Sequence, residues 1–78
     1  MKRFQFCLAK GLFDSPELGR YISFGICVYE LQQGVAVQVG CIPDISTNER
    51  IVSALAHRCT ELQLEPCHLL DVVLDTIP

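Results

Sequence analysis

The sequence predicts one α+β domain over residues 1–78, with a three-stranded antiparallel meander followed by two C-terminal helices packed on one sheet face (βββαα). Two observations carry this prediction. Residues 2–9, 20–31 and 35–41 alternate side chains with the period of two of a strand, whereas residues 51–62 and 69–77 repeat apolar side chains at helical spacing. A chain of 78 residues has room for one hydrophobic core.

The first strand is predicted over residues 2–9, where apolar side chains alternate with smaller or polar ones. Residues 10–19 follow and contain two glycines, a proline, an aspartate and a serine, which are turn formers. We therefore expect residues 10–19 to form a connection, with Leu12 and Phe13 packed onto the core.

The second and third strands are predicted over residues 20–31 and 35–41. Gly34 can adopt the positive φ that a tight hairpin requires, so residues 31–34 are expected to join the two strands. Three strands with short links form an up-and-down meander. The third strand should place its valines on one face: Val35, Val37 and Val39.

The first helix is predicted to begin at Ser46, because Glu49 three residues later completes a capping box. Its apolar stripe repeats at helical spacing. The members of the stripe are Ile51, Val52, Leu55, Ala56, Cys59 and Leu62.

A second helix is predicted from about Pro66, since proline suits the first helical position. This helix is apolar around most of its circumference and should be buried on two sides. One side would face the sheet and the first helix. A second subunit is the simplest cover for the other side, and domains this small often gain stability from a partner chain.

Charge and hydropathy argue against two classes of partner. The net charge is −3 and the six basic residues are dispersed, whereas nucleic-acid binders present clustered cations. The chain lacks the apolar run of a signal peptide or of a membrane-spanning segment. We expect neither nucleic-acid nor membrane binding, and a cytoplasmic location.

The five cysteines are expected to be reduced and to act as small hydrophobes, because their number is odd and no C-x-x-C pair occurs. A metal site pooled from Cys59, Cys67 and His68 is one alternative. Another is the stripe His68, Asp71 and Asp75 on the second helix, although such a stripe is also an ordinary solvated edge. No cofactor is predicted.

Catalysis is not predicted. His57 lies on the polar side of the first helix, whereas Cys59 lies on its apolar stripe, where burial keeps a thiol protonated. The five glycines are dispersed and form no phosphate-binding loop.

The sheet face turned away from the helices is the predicted interaction surface. It carries tyrosines, which are common at interfaces because they combine a large area with a polar tip. An ordinary exposed sheet face is the alternative interpretation. The predicted interface residues, including two from the second helix, are Tyr21, Cys27, Tyr29, Gln38, Val72 and Leu74.

Three segments carry a family resemblance: Gly25-Ile26, residues 42–46 (Ile-Pro-Asp-Ile-Ser), and residues 64–75. From Gly25 onward the chain resembles a family of short bacterial proteins known only as a domain of unknown function. Glu65 departs from the capping residue expected before Pro66. The resemblance implies a bacterial or phage origin and a cytoplasmic location, and it supplies no activity.

The sequence therefore favours a small non-enzymatic interaction module. We expect it to be homodimeric and to regulate or adapt an unidentified protein partner, and an inhibitor encoded by a phage or mobile element falls within this class. The alternative is a metal-dependent enzyme or sensor that uses His68, Asp71 and Asp75.

Overall fold

The computed structural model describes residues 3–76 and has the predicted βββαα order. Three antiparallel strands form one open sheet in the order β1-β2-β3. Two helices follow them in the chain and the first lies against the sheet, mainly on β1. The bounds are β1 Arg3–Ser15, β2 Gly19–Gln32, β3 Val35–Ser46, α1 Glu49–Leu62 and α2 Leu69–Thr76.

The first hairpin is longer than predicted. β1 continues to Ser15 instead of ending at residue 9, so the expected connection over residues 10–19 is wrong. Its turn is confined to residues 16–18, where the Ser15 hydroxyl accepts hydrogen bonds from the N–H groups of Glu17 and Leu18. Leu12 lies 62% exposed on this extended arm and does not pack onto the core. Pairing with β2 continues through Gly11 and as far as Ser15 and Gly19, because the antiparallel partner satisfies the backbone N–H and C=O groups.

β3 also continues beyond its predicted end, to Ser46, and is interrupted by two register shifts relative to β2. One shift inserts Val39, so the three valines do not form one uninterrupted row. The other lies between the pairs Ile26–Ile42 and Phe24–Ser46. Bulges of this kind bend a strand, and alternation alone does not reveal them.

Gly25 permits the second irregularity. A Cβ atom at this position would lie 2.2 Å from the carbonyl oxygen of Ile42 and 2.7 Å from the Cα of Pro43. The backbone of β3 therefore crosses directly over Gly25. Only a residue without a side chain allows this approach.

The core lies between the sheet and the helices. Ile26, Val28 and Val52 are its most deeply buried apolar side chains, with at most 1% of their surface exposed. The remaining buried apolar residues come from all elements except β3, and they are Phe4, Phe6, Phe24, Leu55, Ala56, Cys59, Leu69 and Val73. The apolar faces that alternation predicts for β1 (Phe4, Phe6 and Leu8) and β2 (Ile22, Phe24, Ile26 and Val28) are confirmed apart from Ile22, which is exposed. The stripe predicted for α1 is confirmed apart from the exposed Ile51 and Leu62.

The cap of α1 differs from the predicted one. Asn48 is the N-cap, and its side chain accepts hydrogen bonds from the N–H groups of Arg50 and Ile51. The Ser46 hydroxyl, two residues earlier, instead accepts from the N–H of Asn48. Asparagine and serine both satisfy unpaired N–H groups at a helix start, so a sequence that offers both is ambiguous.

The second helix begins later than predicted. Pro66–His68 form a 3₁₀ turn and α2 starts at Leu69. α2 buries Leu69 and Val73, but Leu70 and Leu74 are exposed, so this chain covers only one side of it. Ile77, which was predicted to extend the helix, and Lys2, which was predicted to open β1, lie outside the described residues.

Candidate interaction site

The outer face of the sheet, defined here as the face turned away from α1, contains a row of three cysteines. Cys7 on β1 is the register partner of Cys27 on β2, and Cys27 is in turn the partner of Cys41 on β3. Directly opposed residues project their side chains to the same face. One cysteine from each strand therefore lies in a single line across the sheet.

Cys27 and Cys41 form a disulfide, with their Cα atoms 3.9 Å apart. The prediction that all five cysteines are reduced is therefore wrong for this pair. Cys7 is free and half-buried beside them, Cys59 is free and buried in the core, and Cys67 is free and exposed. Cys59 matches the prediction of a small hydrophobe, and burial raises the pKa of its thiol.

A second group on the outer face surrounds Asp44. The Tyr21 hydroxyl donates a 2.6 Å hydrogen bond to the Asp44 carboxylate, which raises the pKa of the tyrosine. The fully buried Ser23 hydroxyl faces the same carboxylate outside normal hydrogen-bond geometry. The pKa of Asp44 is lowered because these two hydroxyls stabilise its charged form, the Ser23 hydroxyl more than the Tyr21 hydroxyl. Since Asp44 has a φ of +55°, these contacts hold it in a conformation that few residues adopt.

Tyr21 therefore has a hydrogen-bond partner within its own chain. The Phe13 ring packs against it with centroids 5.8 Å apart. Tyr29 lies eight positions along β2, about 26 Å away for an extended strand. It is half-buried between its register partners Gln5 and the exposed Gln38. The two predicted tyrosines thus do not form one cluster.

The predicted residues of α2 lie in different environments. Val72 is half-buried and packs against the core, whereas Leu74 is 67% exposed. Leu70, one turn before Leu74, is also exposed and lines a groove shared with Val39 of β3. We call the exposed apolar set on this side of the molecule the β3 flank. It consists of Val35, Val37, Val39, Leu70 and Leu74.

The two edges of the sheet differ in how they are closed. On β1, the Gln63 side chain accepts from the Phe4 N–H and donates to the Phe4 carbonyl, both at 2.9 Å. The Thr60 hydroxyl accepts from the Phe6 N–H at 2.9 Å and contacts the Phe6 carbonyl at 3.3 Å. Side chains at the C-terminal end of α1 thus bind the outward N–H and C=O groups of β1, which the backbone of a fourth strand would otherwise bind.

β3 has none of these protections in its first eight residues. Residues 35–42 carry no charge, and Gln38 is their only polar side chain. Lysine and proline, which prevent edge pairing, are absent from residues 35–42, and the bulge at Val39 interrupts the edge after its first four residues. Further along β1, by contrast, Lys10 and Asp14 place charges on the opposite edge strand. The absence of charge over residues 35–42 is visible in the sequence, but only the strand order shows that β3 is an edge strand.

The residues of the alternative metal site are not brought together. His68, Asp71 and Asp75 are all exposed. Within residues 3–76 no three His, Cys, Asp or Glu side chains are placed to hold a metal ion, and this includes the set of Cys59, Cys67 and His68. His57 contacts Glu61 at 2.7 Å on the exposed side of α1. In the same range, no helix is long and apolar enough to cross a membrane.

Comparison with known proteins identifies the family. The sequence profile of a family of unknown function, DUF6514, matches residues 7–78. The chain belongs to this family. No matching protein was found among curated proteins, and no solved structure matches. The predicted resemblance to a domain of unknown function is therefore confirmed, and membership in DUF6514 assigns no activity.

The DUF6514 chain uses its family-like segments to build the β2–β3 contact. Gly25 lies beneath Ile42 and Pro43, and Asp44 accepts from Tyr21. Apart from Tyr21, these residues come from two of the three segments that carried the resemblance. Each of these residues takes part in the crossing of β3 over β2, so local structure accounts for its presence in the family-like segments.

Proposed function

We propose that this DUF6514 protein is a non-enzymatic interaction module that forms a homodimer through its β3 edge. The observation that carries the proposal is the difference between the two edges. Thr60 and Gln63 close β1 at Phe4 and Phe6, whereas residues 35–42 of β3 form an exposed, uncharged and valine-rich edge. Exposed apolar edges are the surfaces to which another strand adds.

Backbone geometry supports pairing at β3. The N–H and C=O of Phe4 turn away from β2 toward Gln63, so Phe4 and its partner Glu30 are a non-hydrogen-bonded pair. The backbone groups of Glu30 therefore face its other partner, Val37. Because direction alternates along a strand, the N–H and C=O of Ala36 face the open edge.

Side chains support a symmetric pairing. In a two-fold arrangement the same surface of each copy contacts its counterpart. Antiparallel pairing of two β3 strands would produce a six-stranded sheet and place both copies of Leu70 and Leu74 on the same side of it. The uncovered side of α2 would then have an apolar partner, which matches the expectation of burial on two sides.

The test is the molar mass of wild type and of Ala36→Pro by size-exclusion chromatography with light scattering. Proline at residue 36 removes the outward N–H and leaves the β2–β3 ladder intact. Lys10→Pro is the matched control, because Lys10 shares the outward direction of Phe4 and Phe6 on the opposite edge. We expect dimeric wild type, dimeric Lys10→Pro and monomeric Ala36→Pro.

Two outcomes would overturn the proposal. One is a wild type that stays monomeric at the highest attainable concentration. The other is equal dimerisation of Ala36→Pro and Lys10→Pro, with circular dichroism showing that both are folded. Leu74→Lys adds a side-chain test, and we expect it to weaken dimerisation without unfolding the chain, since Leu74 is exposed.

The dimer would act on a protein partner, and the outer face is the surface that remains for it. Tyr29 and Gln38 lie side by side there, next to the cysteine row. We place this module in the cytoplasm of a bacterium or phage-infected cell, where an inhibitor of a host protein is one form it could take. Catalysis, metal binding and nucleic-acid binding are not part of the proposal.

A further inference from the structure

The row of three cysteines on the outer face is not explained by an interaction module. A disulfide joins Cys27 to Cys41, and Cys7 lies on the other side of Cys27 as its register partner. Cross-strand neighbours of this kind have Cβ atoms about 5 Å apart. Cys27 thus has a sulfur partner on each side, and only one can be bonded at a time.

We propose that Cys7, Cys27 and Cys41 form a thiol–disulfide exchange site in which the disulfide moves between two positions. The Cys7 thiolate attacks the Cys27 sulfur, the Cys7–Cys27 bond forms, and the Cys27–Cys41 bond breaks. Cys41 leaves as a thiolate and takes up a proton, while Cys7 has lost one. The step conserves atoms and electrons and needs no external oxidant.

The register permits two linkages and excludes the third. The Phe6 backbone turns toward Thr60, so its neighbour Cys7 faces β2 and pairs with Cys27 at about 5.5 Å between Cα atoms. That separation lies within the usual range for a disulfide. Cys7 and Cys41 lie two strands apart, about 9 Å between Cα atoms, which is too far without backbone movement. Cys27 is therefore common to both allowed disulfides.

Cys41 is the cysteine of the site that is most accessible to a substrate in solution. Cys41 is exposed, whereas Cys7 and Cys27 are half-buried. When the bond lies between Cys7 and Cys27, Cys41 is a free and exposed thiol at the edge strand. Its substrate class is low-molecular-weight disulfides such as oxidised glutathione, which would accept the Cys41 thiolate and release one equivalent of thiol.

The test is disulfide mapping of wild type equilibrated in glutathione redox buffer, quenched in acid and digested without reduction. Cleavage after Lys10, Glu30 and Arg50 separates the three cysteines of the row. We expect Cys7–Cys27 and Cys27–Cys41 peptides together. Each should exceed any Cys7–Cys41 peptide by about tenfold or more, because neighbouring groups react at high effective concentration.

Two variants sharpen the test. In Cys41→Ser we expect Cys7–Cys27 to replace the lost disulfide, whereas Cys67→Ser, which lies outside the row, should keep the wild-type distribution. A wild type that holds only Cys27–Cys41 at every glutathione ratio would overturn the proposal. So would Cys7 captured by glutathione while Cys27–Cys41 stays intact. The wild-type map decides the matter even if Cys41→Ser does not fold.

Discussion

At the scale of single residues, Gly25 is the position where the fold depends most directly on side-chain size. We expect Gly25→Ala to destabilise the domain by about 1–3 kcal/mol, because the new methyl group would overlap the backbone of β3. Urea unfolding measures this. Gly40→Ala is the control, since its Cβ would lie 3.2 Å from a Val28 methyl group and should cost less. Equal costs would contradict the close crossing of β3 over Gly25.

Asp44 gives the domain a predicted response to acid. Its pKa is lowered in the folded state by Ser23 and then Tyr21. The carboxylate therefore contributes stability that is fully present above its unfolded pKa, near 4, and that is lost as the pH falls through the lower folded value. Tyr21→Phe and Ser23→Ala should each raise the pKa of Asp44 in an NMR titration. Tyr29→Phe is the control and should leave the Asp44 titration unchanged.

The residue scale also shows what periodicity can and cannot predict. Alternation placed Phe4, Phe6, Phe24, Ile26 and Val28 on the core face, because a strand has a fixed period of two. It could not locate the inserted Val39. If β3 kept the register set by the turn at Gln33 and Gly34, Gly40 would lie opposite Cys27. The disulfide therefore depends on a bulge that the local pattern does not encode.

At the scale of elements, the C-terminal end of α1 protects the β1 edge through Thr60 and the C-cap residue Gln63. We expect Thr60→Val to cost about 1–2 kcal/mol in urea unfolding, because it leaves the buried Phe6 backbone without its partner while preserving side-chain shape. Gln63→Met should have a similar effect at Phe4. Thr47→Val, at an exposed position before α1, is the matched control and should be nearly neutral. Two neutral variants at residues 60 and 63 would show that solvent closes this edge equally well.

The elements themselves were predictable in type and order, and their ends were less so. β1 extends past its predicted boundary because β2 pairs with the segment that contains Gly11, and β3 extends because Ser46 pairs again with β2 after the irregularity at residues 43–45. Asn48 replaced Ser46 as the cap of α1, since both side chains were able to serve. The edge closure by Thr60 and Gln63 depends on where α1 lies relative to β1, and only tertiary packing sets that position.

At the scale of the whole molecule, predicted interaction residues were dispersed over two sides of the domain. Tyr21 donates a hydrogen bond to Asp44, Cys27 forms a disulfide with Cys41, and Val72 packs against the core. Leu74 remains as an exposed part of the β3 flank. The predicted uncovered apolar side of α2 is part of this flank, and the strand order, which makes β3 an edge, adds the valines of β3 to it.

Pairing of two β3 edges is tested most directly by amide hydrogen exchange at Ala36, compared with Val37, over a range of protein concentrations. The Val37 N–H faces β2 and should be protected at every concentration. The Ala36 N–H faces the open edge and should become protected only as concentration rises, because its acceptor would lie in a second copy. Fast exchange at Ala36 at all concentrations would contradict the account.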